Sequence, residues 1–356
     1  MATFERYFRE LWEGKRRGPA DRLLLALLIP FSIPYSLILR VRAFFYRVGV
    51  FRSASLGKPV ISVGNLSVGG TGKTPVTILL ARLLLARGKR VAVLSRGFGG
   101  PGEGEVRVVA DGSGILLSPP DAADEPFLIA RSVPGLIVLT GRDRHRAGLC
   151  ALERFHPDIF ILDDGFQHLR LRRDLNILLL DAGSPLGNGR TLPAGLMREP
   201  ASALRRADLV IHTRCDSSKE YARVADIPSC RSSHRLTGIV PFEGGSSLPF
   251  GVLAGRKGVA FAGIGEPDSF FAALRGEGLD LAATLAFRDH CSYDGPEVEA
   301  ILRALKDTGA HYLITTEKDA VKLASPGRLC VDRFAAVLEI EMLDPEVLEQ
   351  ELEKLL

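Results

Sequence analysis

Cysteine is sparse and unpatterned: Cys150, Cys215, Cys230, Cys291 and Cys330 are scattered, with no CxxC pair. That excludes a zinc framework or a disulfide scaffold and reads as reduced thiols in a cytoplasmic protein. No long Lys/Arg run or basic–aromatic interleaving occurs in the body of the chain, and the net charge is only +4. Nucleic acid is therefore not expected as a partner. No internal repeat or low-complexity tract stands out. No small-residue cleavage site follows the apolar N-terminus, which argues against a signal peptide.

What is present describes a globular chain, with 46% hydrophobic and 25% charged residues over 356 positions. That length suggests two domains. The anomaly lies at the start. Leu23 to Leu39 carries no charge, and is flanked by Lys15, Arg16, Arg17 and Arg22 before it and Arg40, Arg42 and Arg47 after. As a helix it would be about 26 Å long, slightly short of a hydrocarbon core of about 30 Å. Pro30 and Pro34 are expected to kink it. Upstream, Phe4, Tyr7, Phe8, Leu11 and Trp12 share one face of a short amphipathic helix, a composition suited to a bilayer interface. Membrane attachment is expected, whether spanning or lying in the interface; the alternative is a helical hairpin buried on the protein's own core.

From residue 58, β-branched runs alternate with helical stretches. Strands are expected at Val60–Val63, Arg90–Leu94, Val106–Val109, Leu136–Leu139, Ile159–Leu162, Asn176–Leu180 and Leu209–His212. Val76, Leu79, Leu80, Leu83 and Leu84 share a helical face that Gly88 ends. This alternation predicts an α/β fold with a mostly parallel sheet. Residues 241–258, rich in Gly, Pro and Ser, look like a boundary. Beyond it a strand is expected at Val259–Ala262, helices near Ser269–Leu274 and Pro296–Lys306, and a strand at Tyr312–Thr315. The expected units are a membrane-associated helical segment at 1–54, a phosphate-loop nucleotide domain at 55–245 and a smaller α/β domain at 246–356.

The strongest chemical signal is Ser67-Val68-Gly69-Gly70-Thr71-Gly72-Lys73-Thr74, placed between a strand and a helix. Glycines let backbone N–H groups turn inward around phosphate oxygens at a helix N-terminus. Lys73 would reach the β- and γ-phosphates, and Thr74 would ligate Mg²⁺. Ser67 departs from the usual first glycine. A guanine-specific site would want Asn/Thr-Lys-x-Asp, but Thr316-Glu317-Lys318-Asp319 has its lysine one place late, so ATP is favoured. Ile159 to Leu162 is an apolar strand ending in Asp163 and Asp164, as expected of acids that hold Mg²⁺ directly or through water.

The segments Val63–Pro75, Ser95-Arg96-Gly97-Phe98, Asp124-Glu125-Pro126, Gly141-Arg142-Asp143-Arg144, Asp163-Asp164-Gly165-Phe166-Gln167-His168, Arg198-Glu199-Pro200 and Phe287–Tyr293 occur in one order. That ordered set resembles the tetraacyldisaccharide 4′-kinases. The resemblance implies a two-lobed α/β kinase with a bilayer-engaging N-terminal helix, working on the cytoplasmic face of a bacterial inner membrane. It implies transfer of the ATP γ-phosphoryl group to the 4′-hydroxyl of an acylated glucosamine disaccharide 1-phosphate, a lipid A precursor. It also implies that Asp124 is the proton acceptor and His290 its partner; a His–carboxylate pair would orient the acid. Arg144 would offset γ-phosphate charge, Arg198 and Glu199 would order the site around acceptor or metal, and Arg96 would line the acceptor cleft. No obligate protein partner is expected. The alternative is a regulatory or metal-insertion GTPase of the phosphate-loop class, which should show a guanine motif or a His/Cys metal tract.

Overall fold

The computed structural model describes residues 2–97, 105–216, 221, 226–289, 291–293, 295–323 and 331–356. Helices α1 (Ala2–Trp12) and α2 (Pro19–Arg47) precede β1 (Val60–Asn65), α3 (Lys73–Ala86), β2 (Val91–Ser95) and β3 (Arg107–Asp111). Then come α4 (Asp124–Ser132), β4 (Ile137–Thr140), α5 (Arg144–Phe155), β5 (Ile159–Leu162), β6 (Leu175–Asp181), β7 (Leu209–Thr213) and β8 (Ser229–Pro241). The remainder is β9 (Lys257–Ala262), α6 (Pro267–Gly276), β10 (Asp280–Ala286), α7 (Pro296–Thr308), β11 (Tyr312–Thr316), α8 (Glu317–Ala320), β12 (Asp332–Met342) and α9 (Pro345–Glu353).

The twelve strands of the described residues form one sheet, in the order β10-β9-β11-β12-β8-β7-β6-β1-β5-β2-β4-β3. The strands at the heart of the first lobe, β1, β2, β5 and β7, are buried at every position. Near-continuous apolar runs are what a parallel sheet covered on both faces demands. Val76, Leu80 and Leu84 of α3 are fully buried on one face of that sheet, as their spacing requires. Ala147 and Ala151 of α5 pack on the other.

β8 is the strand that the sequence pattern conceals. Its first residues pair parallel with β7, Ile211 opposite Cys230. From Ser232 onward it pairs antiparallel with β12, Ser232 opposite Met342 and Pro241 opposite Phe334. Cys-Arg-Ser-Ser-His-Arg at 230–235 has little of the β-branched character that marks a strand. We keep 55–245 and 246–356 as a proposal for the two lobes; β8 joins them through a continuous ladder. The chain also returns at its end: Leu348 and Leu352 of α9 are buried in the first lobe's core.

The N-terminal expectation needs one correction. Leu11 of α1 is 1% exposed, and Trp12 donates its indole N–H to the Pro193 carbonyl at 3.0 Å, so the Leu11–Trp12 end of that face is turned to the protein. The apolar stretch is not the buried hairpin of the alternative: α2 is one helix that contains Pro30 and Pro34. It is the only helix among the described residues long and apolar enough to cross a membrane. Leu23, Leu27, Phe31, Ile33, Leu37 and Ile38 stand exposed along it. Its covered side mixes Leu24, Leu25, Leu28 and Ile29 with polar groups that tie it down: the Ser32 hydroxyl donates to the Thr191 carbonyl at 2.8 Å, Tyr35 to the Arg198 carbonyl at 3.2 Å and Arg42 to the Gln167 carbonyl at 3.1 Å.

Candidate active site

The phosphate loop leaves β1 at Asn65 and ends where α3 begins at Lys73. Gly72 sits in the left-handed region at φ 83°, a conformation that costs a glycine nothing. A side chain there would also strike His234, whose Nε2 would lie 2.7 Å from the added carbon. The loop is pinned from outside. Val68 N–H donates to the Leu196 carbonyl at 2.7 Å, Arg198 N–H to the Leu66 carbonyl at 2.6 Å, and the Arg214 guanidinium to the Gly70 carbonyl at 2.7 Å. Ser67 pairs with Met197 in an isolated bridge and does not adopt a left-handed φ. The usual first glycine is therefore not required at this position. Lys73 donates to Asn65 Oδ1 at 3.4 Å.

The acid pair stands beside this loop at the end of β5, and its two members face different surroundings. Asp163 is 2% exposed and accepts from the Thr77 hydroxyl at 3.1 Å and the Ser95 hydroxyl at 3.4 Å. Burial, then the nearby charges of Glu125 and Asp164, push its pKa up to about 7. Asp164 takes a left-handed φ of 50° and turns the other way. One Arg198 nitrogen lies 3.0 and 2.9 Å from its two oxygens, and Lys73 Nζ lies 3.8 Å from Oδ1. Burial works against that charge, but Lys73 and Arg198 outweigh it and hold the carboxyl below the usual range. Arg144, at the start of α5, is 5% exposed; burial lowers its pKa and the charges of Asp163 and Asp164 partly restore it. Its Nε has no hydrogen-bond partner among the described residues.

The residues fit a magnesium site. The direct partners of Asp163 are neutral hydroxyls, and a divalent cation would offset the acidic crowding that burial makes costly. Among the described residues no group of three His, Cys, Asp or Glu side chains is placed to hold a metal. Mg²⁺ does not need one, since it takes one or two carboxylates and completes its shell with water and phosphate oxygens.

Asp124 and Glu125 open α4, where acidic groups suit the helix dipole. The second lobe reaches them with two lysines. Lys322 Nζ lies 3.5 Å from Asp124 Oδ2, while Lys318 Nζ lies 3.7 Å from Glu125 and 3.2 Å from Asp289. His290 and Phe98 lie outside the described residues. Arg96 is exposed just past the end of β2 and adds its charge to the surroundings of Arg144. Glu199 is not brought into this group. It is 2% exposed, its carboxylate accepts from Arg206, and that guanidinium lies 4.6 Å over the Phe166 ring.

Sequence reasoning missed Asn65, Glu125, Gln167, Arg214, Lys318 and Lys322 as members or supports of the site. Asn65, Glu125 and Gln167 stand inside conspicuous motifs. Lys318 stands in Thr316-Glu317-Lys318-Asp319, which resembles a guanine motif with its lysine one place late. Nothing local marks Arg214 or Lys322.

Comparison with known proteins places the chain. The family model described as tetraacyldisaccharide-1-P 4′-kinase matches residues 24–356. A tetraacyldisaccharide 4′-kinase of Geobacter metallireducens is 57% identical over 336 residues, covering 94% of this chain and 99% of its own. That of Geobacter sulfurreducens is 55% identical over 350 residues, covering 98% and 99%. A crystal structure of LpxK from Aquifex aeolicus in complex with ATP superposes with a TM-score of 0.79 at 34% identity, covering 93% of this chain and 99% of that one.

Proposed function

The chain belongs to the tetraacyldisaccharide 4′-kinase family, and from that premise we propose how its residues divide the work. The protein is a kinase that moves the γ-phosphoryl group of ATP to the 4′-hydroxyl of tetraacyldisaccharide 1-phosphate. A regulatory or metal-insertion GTPase is not favoured: its relatives along the whole chain are lipid A kinases.

The observation that carries the residue-level reading is the chain Lys73–Asp164–Arg198 beside the phosphate loop. Backbone N–H groups of Gly69, Gly70, Thr71 and Gly72 cradle phosphate oxygens, and Lys73 turns to the β- and γ-phosphates. Thr74, Asp163 and Asp164 are the residues that would hold Mg²⁺, which when bound supplies positive charge against the phosphates. Arg144 adds a buried positive charge beside the acid pair. Asp124 accepts the proton of the 4′-hydroxyl as its oxygen bonds to phosphorus and the bridging oxygen of ADP departs. His290 orients that acid. Arg96 lines the acceptor cleft.

The acceptor is a lipid, so the exposed side of α2 is the natural place for a membrane. At about 1.5 Å per residue, a helix of this length outspans a hydrocarbon core of about 30 Å. Its inner side is hydrogen-bonded to the loops that carry Thr191, Arg198 and Gln167, which lipid surrounding a spanning helix would not permit. The helix therefore lies along the interface with Leu27, Phe31 and Ile38 in the acyl region. On this reading the enzyme works at the cytoplasmic face of the inner membrane, the side on which ATP is supplied.

The test is direct: labelled ATP and the acylated disaccharide 1-phosphate are incubated with the protein and the lipids separated by thin-layer chromatography. A labelled bis-phosphorylated lipid is expected. No product with active controls would refute the reading.

A further inference from the structure

We propose that Lys322 is a positioning residue for phosphoryl transfer, through which the second lobe fixes the Asp124 carboxylate across the lobe junction. The proposal rests on the reading of Asp124 as the proton acceptor.

Lys322 follows α8, and its side chain is 6% exposed. Its ammonium stands between two carboxylates from different lobes, 3.5 Å from Asp124 Oδ2 and 3.6 Å from Asp319 Oδ1. Asp319 is completely buried and itself anchored: its Oδ2 accepts from Gly263 N–H at 2.9 Å and from the Thr316 hydroxyl at 2.8 Å. Gly263 permits this approach, since a side chain there would lie 2.7 Å from the Tyr293 hydroxyl and 3.1 Å from Asp319 Oδ1. The ammonium also faces the Tyr293 ring, its centroid 6.0 Å from Nζ. The second lobe thus builds a fixed seat for a cation and aims it at the first turn of α4.

That seat is unlike ordinary lobe-to-lobe adhesion. The Arg82–Glu339 pair joins α3 to β12 at 3.1 Å with both side chains about half exposed, the usual form of a weak surface contact. Lys322 is nearly buried, and its nitrogen makes no hydrogen bond among the described residues. A buried ammonium shared by two acids without committing to either is a costly arrangement for adhesion alone. It is well suited to setting the direction of a carboxylate. Holding Oδ2 of Asp124 leaves Oδ1 to accept the hydroxyl proton, and ties that geometry to the position of the second lobe.

Kinetics of the full chain in detergent with ATP and the acylated acceptor decide the matter. K322M should lower kcat about 10- to 100-fold, the loss expected when a reacting group is misplaced by an ångström or less. KM for ATP should stay within about twofold, and D124N/K322M should be scarcely slower than D124N, because the two act as one unit. K322R should recover part of kcat, and R82A should match the wild type. If K322M does not fold, D319N loosens the same seat and should show the same split between kcat and KM. Wild-type kcat in K322M or D319N, a change in KM alone, additive losses in the double variant, or no recovery in K322R would each overturn the proposal. Wild-type turnover in D124N would instead refute the proton-acceptor reading, whatever Lys322 does.

Discussion

A single nitrogen of Arg198 holds both carboxylate oxygens of Asp164, at 3.0 and 2.9 Å. The Arg198 main chain meanwhile closes the phosphate loop by donating to the Leu66 carbonyl and accepting from Tyr35 of α2. Loop, acid and N-terminal helix therefore meet at one residue. Arg198→Ala should leave the main-chain bonds intact and free Asp164 to move, lowering kcat about 10²-fold. Arg198→Lys should recover part of it, because one nitrogen serves both oxygens. Steady-state rates of the two variants test this, and equal losses in both would point to a need for the whole guanidinium.

Lys73→Ala and Thr74→Ala should each lower turnover by about 10³-fold or more, since their side chains act on phosphates and metal. Both sit half-buried in the first turn of α3 and support little packing, so the melting temperature should hold within a few degrees of wild type. Turnover near wild type in either variant would remove the phosphate-loop assignment.

Deleting residues 1–47 is a poor test of membrane binding, because the inner side of α2 supports the active-site loops. Leu27→Gln, Phe31→Gln and Ile38→Gln together change only the exposed face. This triple variant should keep its melting temperature and its rate on detergent-dispersed acceptor. It should lose most of its sedimentation with vesicles of zwitterionic and anionic phospholipid. Unchanged sedimentation would mean that the face does not contact lipid.

Glu199→Ala should act on stability. The carboxylate is 2% exposed and paired with Arg206, and removing one partner of a buried pair costs about 3–5 kcal/mol. Thermal unfolding should show it. A fall in kcat at unchanged stability would instead place Glu199 in the chemistry.

His168 and His234 are both held down to a pKa of about 4 by burial. In the unfolded chain a histidine titrates near about 6.5, so that chain takes up protons first as pH falls. Their contribution to stability is complete above that value and is lost progressively as pH drops towards 4. The melting temperature should therefore fall between about pH 6.5 and 4.5, and His234→Gln should flatten part of the slope. A slope unchanged in that variant would show that His234 already carries a proton when folded.

Most of the first lobe was legible because a parallel sheet buried on both faces needs uniform apolar runs. Ile159 to Leu162 and Leu209 to His212 stand out on that ground alone. The second lobe was only half legible. β9, α6, α7 and β11 carry strong local periodicity, whereas β10 is exposed at alternate places and β12 contains Arg333, Glu339 and Glu341. Their strand character comes from neighbours in the sheet more than from their own composition.

The order of the motifs, the phosphate loop and the acid pair could be read by themselves because each is built from contiguous residues whose chemistry is set within a turn or two. That was enough to define the family, the nucleotide and the kind of reaction. Only the tertiary structure decided how adjacent acids differ, with Asp163 between hydroxyls in the core and Asp164 between Lys73 and Arg198. It alone turned Leu11 inward, paired Glu199 with Arg206, and brought Lys322 to Asp124 from nearly two hundred positions away. The physical reason is that a buried charge takes its partner from whatever the packed fold sets beside it, and no local pattern encodes that choice.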